Sequence, residues 1–280
     1  NRVGSTKYTL MQPLPFWGKR DLKREVAEAE GEVARGKAGA TWTEQAARIK
    51  TTYAQHYAAT RLILLTKELI DLIDRIEAIT QVRYAGGLAP QQDAIRAQVE
   101  RTAMRGELIQ METEHHRTLS RLNALLARPA QSPLAAAERL RPIPHPARLD
   151  YLPLAGQLRA RNPQLFADDA RIRAAEKNRD LIYRNRYPDF TVGVSPIQTR
   201  NRVNEWELMF EINIPLQQES RRSQEREAER MIAAARTRKG ATANQLLADL
   251  SDNLAGIDAA RRMETLAQTS LLPQAELTFQ

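Results

Sequence analysis

The sequence predicts a mainly α-helical fold with a small β part. Apolar residues recur at helical spacing over two long stretches, the period changes to two between residues 188 and 216, and glycine or proline clusters separate these segments. The 280 residues are 42% hydrophobic with a net charge of +8, which is too apolar for a disordered chain. The absence of cysteine excludes disulfides, thiolate zinc sites and cysteine nucleophiles.

The first predicted elements are a β-strand within residues 1–16 and a long helical hairpin over residues 17–128. The first helix of the hairpin has two adjacent apolar stripes, so it needs neighbours on two sides. One stripe consists of Leu62, Leu65, Leu69, Leu72, Ile76 and Ile79, and the other of Ile63, Ile70 and Ile73. Three glycines within residues 25–42 each weaken this helix by about 1 kcal/mol relative to alanine and leave its register there open.

A turn at residues 83–90 is predicted to form the tip of the hairpin. Paired glycines accept the positive φ of a helix end, and Pro90 suits the first turn of the next helix. The second helix, from about Pro90 to Ala127, also has two stripes. One contains Ala94, Ala97, Met104, Leu108, Met111, Leu122 and Leu125, and the other Ile95, Val99, Thr102 and Ile109.

The second half begins with a proline-rich connector over residues 129–153, in which six prolines argue against regular structure. Helical spacing returns over residues 154–187, with a start signal at Asn162-Pro163. Strict alternation then predicts a β-hairpin over residues 188–216, with a turn near residues 199–204. A charged helix is expected over residues 217–280.

The two faces of this β-hairpin differ in polarity. The apolar face contains Phe190, Val192, Val194, Trp206, Leu208, Phe210, Ile212 and Ile214. The polar face contains Thr191, Ser195, Glu207, Glu211 and Asn213.

One sequence of elements occurs twice. Pro15 and Pro215 each close a strand, lie 200 residues apart, and precede a basic segment and a Glu-Ala-Glu triplet. We expect an internal duplication in which the first copy lacks its first strand and the second stops before its tip. The sequence would then be a fragment of a longer protein.

Two groups of polar residues have alternative interpretations. His115 and His116, with Glu112 and Glu114, have spacing compatible with a metal pair, but both histidines lie on apolar stripes and are expected to pack there. The basic clusters face lipid phosphates, line a channel, or are solvated charges at helix starts. They comprise Lys19, Arg20, Lys23 and Arg24, and Arg221, Arg222 and Arg226.

Other functional classes have little support in the sequence. Basic residues are spread along the helices and interleaved with glutamates, which argues against nucleic-acid binding. No catalytic arrangement or phosphate-binding loop is present, so we expect neither enzymatic activity nor a cofactor or resident metal ion.

Six motifs in order resemble the TolC-type outer-membrane efflux family, within it the heavy-metal (cobalt-zinc-cadmium) branch. They are Pro13-Leu14-Pro15, Gly18-Lys19-Arg20, the segment from Arg83 to Asp93, Asn162-Pro163-Gln164-Leu165, Tyr187-Pro188-Asp189-Phe190-Thr191 and Ile214-Pro215-Leu216. The chain departs from the family pattern at Gln217, where phenylalanine is frequent, and at Gly31, Gly36 and Gly39.

The resemblance implies a homotrimer with a twelve-stranded outer-membrane barrel and a periplasmic tube of coiled-coil helices. It implies a passive exit duct, driven by an inner-membrane resistance-nodulation-division pump through a periplasmic adaptor. The adaptor-contact tip would be Arg83, Tyr84, Gly86, Gly87, Leu88 and Ala89. The apolar sheet face would meet outer-membrane lipid and the polar face the channel. A soluble coiled-coil scaffold or a periplasmic adaptor is the alternative, as is a tip in which Leu88 covers its own helix ends.

Overall fold

The computed structural model describes residues 5–135, 139–199 and 202–278. Residues 200 and 201 in the predicted turn of the β-hairpin, part of the connector and the two chain ends lie outside the described residues. The chain divides into two units, one of Asn1–Ala40 with His145–Gln280 and the other of Thr41–Pro144. Helix α1 (Lys19–Ala85) contributes to both.

Unit 1 contains an antiparallel sheet of four strands. They are β1 (Ser5–Lys7), β2 (Leu10–Leu14), β3 (Asp189–Thr199) and β4 (Arg202–Asn213). Strand β3 is central, with β4 on one side and both β1 and β2 on the other. Lys7 lies opposite Ile197 and Leu10 opposite Val194, so β1 and β2 keep one register and form a single edge. Strand β4 ends at Asn213, which leaves Ile214 outside the strand that the sequence predicted.

The helices of unit 1 differ from the predicted boundaries at two places. Helix α3 (Tyr151–Arg161) begins before the expected Leu154, because Pro153 sits in its first turn, where no intrahelical N–H is needed. Asn162 then ends α3 and caps α4 (Pro163–Arg184) by accepting a hydrogen bond from Gln164 N at 2.8 Å. The predicted helix of residues 154–187 is therefore two helices.

The last predicted helix is also interrupted. It consists of α5 (Gln218–Leu266), a π-helical turn (Ala267–Leu271) and α6 (Leu272–Thr278). Pro273 is the second residue after the π turn, and a proline ring displaces the carbonyl that a regular helix would place four residues earlier. The wider turn accommodates that proline.

Helix α4 packs between α1 and α5 within unit 1, and ion pairs link it to both. Toward α1, Lys177 pairs with Glu25 at 2.7 Å and Arg173 pairs with Glu32. Toward α5, Glu176 pairs with Arg236 at 2.7 Å and Asp169 with Lys239 at 2.6 Å. The helix order α1, α4, α5 matches the strand order β2, β3, β4, because β2 leads into α1, α4 leads into β3, and β4 leads into α5.

Gly36 allows α1 and α4 to approach closely. Helix α1 is continuous through Gly31, Gly36 and Gly39, which settles the register that the sequence left open. A Cβ on Gly36 would lie 2.7 Å from the Ala167 Cβ and 2.8 Å from its Cα, whereas a Cβ on Gly31 would meet nothing within 4 Å. Glycine is unfavourable inside a helix, yet packing requires it at position 36. Packing does not require it at position 31.

Unit 2 is a helical hairpin in which α1 packs against α2 (Gln91–Leu125). The side of α1 turned toward α2 is unusually polar. Thr66 donates to Met111 Sδ at 3.2 Å, and the buried Glu77 pairs with Arg101 at 2.6 Å. The buried residues of α1 here recur at heptad spacing: Thr52, His56, Ala59, Thr66, Ile70 and Glu77.

A histidine pair lies in the same interface. The His56 and His115 rings have centroids 4.5 Å apart, and Thr118 Oγ1 lies 3.5 Å from His56 Nδ1 while donating to the His115 carbonyl. His56, which has no partner evident in the sequence, is thus buried against His115, whereas His116 is exposed. Burial, and then the positive charge that His115 can carry, lower the pKa of His56 below its ordinary value.

Replacing Gly36 by alanine should destabilise unit 1 by about 1–3 kcal/mol, because the backbone of α4 must move to admit the methyl group. The matched variant Gly31→Ala should instead stabilise the helix by up to about 1 kcal/mol. Thermal and denaturant unfolding followed by circular dichroism measures both. Equal effects of the two substitutions would contradict the close contact.

Acid should destabilise the hairpin through His56. The unfolded chain binds a proton as pH falls below about 6.5, whereas the fold keeps His56 neutral to lower pH. Stability is therefore full above that pH and declines as pH falls toward the lowered pKa. Melting temperatures between pH 8 and 5 should show this decline, and His56→Gln should reduce it. The exposed control His116→Gln should leave it unchanged; an equal reduction in both variants would refute the assignment.

Candidate functional site

One face of the sheet is apolar and exposed. The cross-strand pairs Phe190 with Ile212, Val192 with Phe210, and Val194 with Leu208 place the predicted apolar residues on this face. Leu208 is 81% exposed and Phe210 64%. Strand β2 adds Leu10 opposite Val194 and Leu14 opposite Phe190. An exposed apolar surface of this kind in a single chain indicates contact with lipid or another protein.

Aromatic residues bracket the apolar face. At one end, Trp206 of β4 lies opposite Pro196 of β3. On the other side of β3, Tyr8 N donates to the Pro196 carbonyl. Pro196 lies six residue steps along β3 from Phe190, which corresponds to roughly 20 Å. Beyond the opposite end lies a cluster of Phe16, Trp17 and Tyr187. Phe16 stacks on Tyr187 with centroids 4.5 Å apart, and Trp17 meets the Phe16 ring edge-on at 5.4 Å.

The opposite face of the sheet is polar. Thr191 lies across from Glu211, Ser195 from Glu207, and Asp189 from Asn213. Lys7 pairs with Glu207 at 2.7 Å across the central strand. Ser195 is on this face but is buried, and its hydroxyl donates to Thr9 Oγ1 at 3.0 Å. In the single chain, Ser195 therefore contacts the segment between β1 and β2 rather than solvent.

The strands join the helices through a buried lysine. Lys19 Nζ donates to Asp189 Oδ1 at 2.8 Å and to the Tyr187 carbonyl at 2.9 Å. The same carboxylate oxygen accepts Phe16 N–H at 2.9 Å. Gly18 precedes Lys19 with φ of +81°, a conformation that favours glycine. Lys19, which the sequence placed in an exposed basic cluster, instead fixes the end of β2 to the start of β3.

The tip of the hairpin has a shape defined by backbone hydrogen bonds. Leu88 N donates to the Arg83 carbonyl at 2.8 Å, and Gly87 N to the Tyr84 carbonyl at 3.0 Å, which is a Schellman motif. Only Gly87 of the two glycines has positive φ, at +69°. Leu88 is 75% exposed in the single chain. Arg83, Tyr84 and Gly86 are also exposed, and Ala89 is half-buried.

A stripe of leucine and isoleucine runs along α1 beside the residues that α1 buries against α2. Each of its residues is between 38% and 58% exposed in the single chain. These residues are Leu62, Leu65, Leu69, Leu72, Ile76 and Ile79, and we call them the leucine stripe. On α2, Ile95, Val99 and Ile109 are likewise exposed. The hairpin thus buries the more polar side of α1 and exposes the more apolar one.

Within residues 5–135, 139–199 and 202–278, no helix has the length and hydropathy needed to cross a membrane. In the same part of the chain, no group of three or more histidine, aspartate or glutamate side chains is arranged to hold a metal ion.

The sequence interpretation missed several residues of the apolar face and its ends. Tyr8, Leu10 and Leu14 alternate with Thr9, Met11 and Pro13, a period of two that signals a strand. The apolar Met11 and Pro13 on the other face obscure this alternation. Trp17 lies outside any strand, so no periodicity could identify it.

Known proteins share both sequence pattern and fold with this chain. Residues 2–128 match the family described as outer membrane efflux protein. No curated protein is matched by the sequence.

Solved structures resemble nearly the whole chain. A membrane protein from Pseudomonas aeruginosa has a TM-score of 0.83 at 17% identity, with 98% of this chain and 71% of that one covered. The outer membrane protein VceC of Vibrio cholerae gives 0.78 at 19%, covering 98% and 66%. The open state of the Neisseria gonorrhoeae outer membrane channel MtrE gives 0.78 at 12%, covering 99% and 69%.

The chain thus spans between 66% and 71% of the length of these three structures. At such identities the likeness establishes the fold, whereas the family match rests on sequence. The chain therefore has the fold of solved outer-membrane channels, and its residues 2–128 have the sequence pattern of the outer membrane efflux protein family.

Proposed function

We propose that this chain is part of the outer-membrane channel of a tripartite efflux system. The protein assembles as a homotrimer in which each copy gives four strands to a twelve-stranded barrel, this sheet supplying three of the four strand positions, and the helices form a tube in the periplasm. An inner-membrane pump supplies the energy and a periplasmic adaptor links it to the channel, so the chain itself is a passive duct without enzymatic activity.

The two-faced sheet is the observation that supports this proposal most. Its apolar face, bracketed by aromatic residues at both ends, has the pattern of a barrel wall in contact with lipid, and its polar face that of a channel lining. The apolar face spans roughly 20 Å between the levels of Phe190 and Pro196, which is close to the roughly 25 Å apolar band of such barrels. Both outer edges of a sheet must be paired inside a bilayer, which requires further strands from other copies or from the duplicated half.

The leucine stripe supports assembly of the helical part. Burying a leucine side chain contributes about 1.5–3 kcal/mol, so six exposed leucines and isoleucines are a large unused driving force. The stripe has heptad spacing, so its fitting partner is another long helix with an apolar seam. A tube wall offers every helix such a neighbour on each flank.

The tip is the proposed contact for the adaptor. Its exposed Leu88 and fixed backbone shape fit a surface that meets a complementary hairpin end. The assignment of heavy-metal cations as cargo rests on the six motifs of the metal-efflux branch. A duct need not bind its cargo tightly, because tight binding would slow passage.

Replacing Leu88 by glutamate should reduce efflux by about tenfold or more, because a charge would enter a desolvated contact. Trimer assembly, measured by cross-linking, should persist. The control Ile143→Glu places the same charge on another exposed isoleucine, in the connector, and should leave efflux unchanged. Unaltered transport in Leu88→Glu would remove the tip from the contact site.

Replacing Leu65 and Leu72 together by glutamate should weaken trimer assembly by about 3 kcal/mol or more. Because both side chains are exposed in the single chain, its helix content should not change. Analytical ultracentrifugation in detergent measures the loss, and Gln55→Glu on an exposed position of α1 is the control. A wild-type protein that stays monomeric without detergent would favour the soluble scaffold instead.

A further inference from the structure

An open cavity of about 790 Å³ lies where the apolar sheet face meets the start of α1. Its floor is aromatic and aliphatic: Phe190 and Phe210 stack with centroids 5.9 Å apart, and Leu14 pairs with Phe190 in the neighbouring strand. This floor is continuous with the face proposed to meet lipid. The volume is that of a typical small-molecule site.

The rim of the cavity has a different chemistry. Arg20 and Arg24 line it one helical turn apart, with Asp21 between them. Arg24 reaches Asp21 and Glu28 only at 3.7 and 3.6 Å, and Arg20 has no ion pair among the described residues. The rim therefore has net positive charge, with two guanidinium groups that retain donors for an anion.

Trp17 completes the rim. Its indole is 78% exposed, yet the edge-on contact with Phe16 holds it in place. An exposed tryptophan braced beside an apolar face and next to arginines is typical of the headgroup level of a membrane. Aromatic anchor, apolar floor and cationic rim thus occur within one cavity.

We propose that this cavity binds one phospholipid of the membrane leaflet nearest the helices. Its phosphate lies between Arg20 and Arg24, and an acyl chain lies along Phe190 and Phe210. This inference rests on the proposed function, because it requires the sheet to stand in a bilayer. A phospholipid fits both chemistries of the cavity at once, whereas free phosphate would leave the aromatic floor uncovered.

The experiment uses the assembled channel that contains this chain, reconstituted in phosphatidylcholine vesicles with a minor fraction of phosphatidylglycerol brominated on its acyl chains. Three single-tryptophan variants retain only Trp17, Trp42 or Trp206. Bromine quenches indole fluorescence at contact. Trp206, on the apolar face, reports whether the sheet is in the bilayer, and Trp42 in α1 is the reference.

We expect Trp206 to be quenched in proportion to the brominated fraction and Trp17 about tenfold more than that proportion, given the attraction of two arginines for an anionic lipid. Arg20→Gln with Arg24→Gln should remove the excess at Trp17. The charge-matched control Arg96→Gln with Arg121→Gln, at two exposed positions of α2, should retain it.

The other outcomes separate failure of the proposed function from failure of the lipid site. Unquenched Trp206 would overturn the proposed function and this site with it. Quenched Trp206 with only proportional quenching of Trp17, or an excess that survives loss of both arginines, would overturn the lipid site alone. A Trp17 shielded from both brominated lipid and aqueous iodide would show that a second copy of the chain covers the cavity, which also overturns it.

Discussion

The buried ammonium group of Lys19 fixes the relation between strands and helices in unit 1. It bonds to the Asp189 carboxylate and the Tyr187 carbonyl, and that carboxylate also accepts the Phe16 N–H. The end of β2 and the start of β3 are thereby held together where each strand joins its helix. Since a buried cation is costly unless it is paired, this junction has one favourable arrangement.

The chain exposes more apolar surface than its own contacts can cover. The sheet has one exposed apolar face, and α1 turns threonine, histidine and glutamate toward α2 while the leucine stripe remains open. In a soluble monomer the opposite orientation would be expected. Both features are accounted for if the protein is complete only in the presence of lipid and further copies, as the proposed function requires.

The sequence predicted the type and order of the elements because their periods are long and regular. The heptad stripes indicated paired helices, the alternation after residue 188 indicated a hairpin, and Asn162-Pro163 marked a helix start that the structure confirms. It could not show which stripe of α1 faces α2, because both stripes are apolar and the choice depends on partners such as Arg101 and Met111. It also misjudged Gly36, since a close contact with Ala167, over a hundred residues away, leaves no local signal.

Lys19 and Trp17 illustrate the same limit at the candidate site. In the sequence, Lys19 is one of several neighbouring basic residues. It differs from Arg20 only because the fold places Asp189 within hydrogen-bonding distance of it. The tip was predictable as a turn. The sequence did not show which of its two glycines has positive φ, and the structure shows that it is Gly87.

The hydrogen bonds that shape the tip are all between main-chain atoms. The one residue-specific requirement is that position 87 adopt the left-handed conformation. Exchanges at Tyr84 or Leu88 therefore alter the chemistry that the turn displays while its geometry is inherited intact. A lineage with such a turn can acquire new recognition preferences by single substitutions, without having to evolve a new loop.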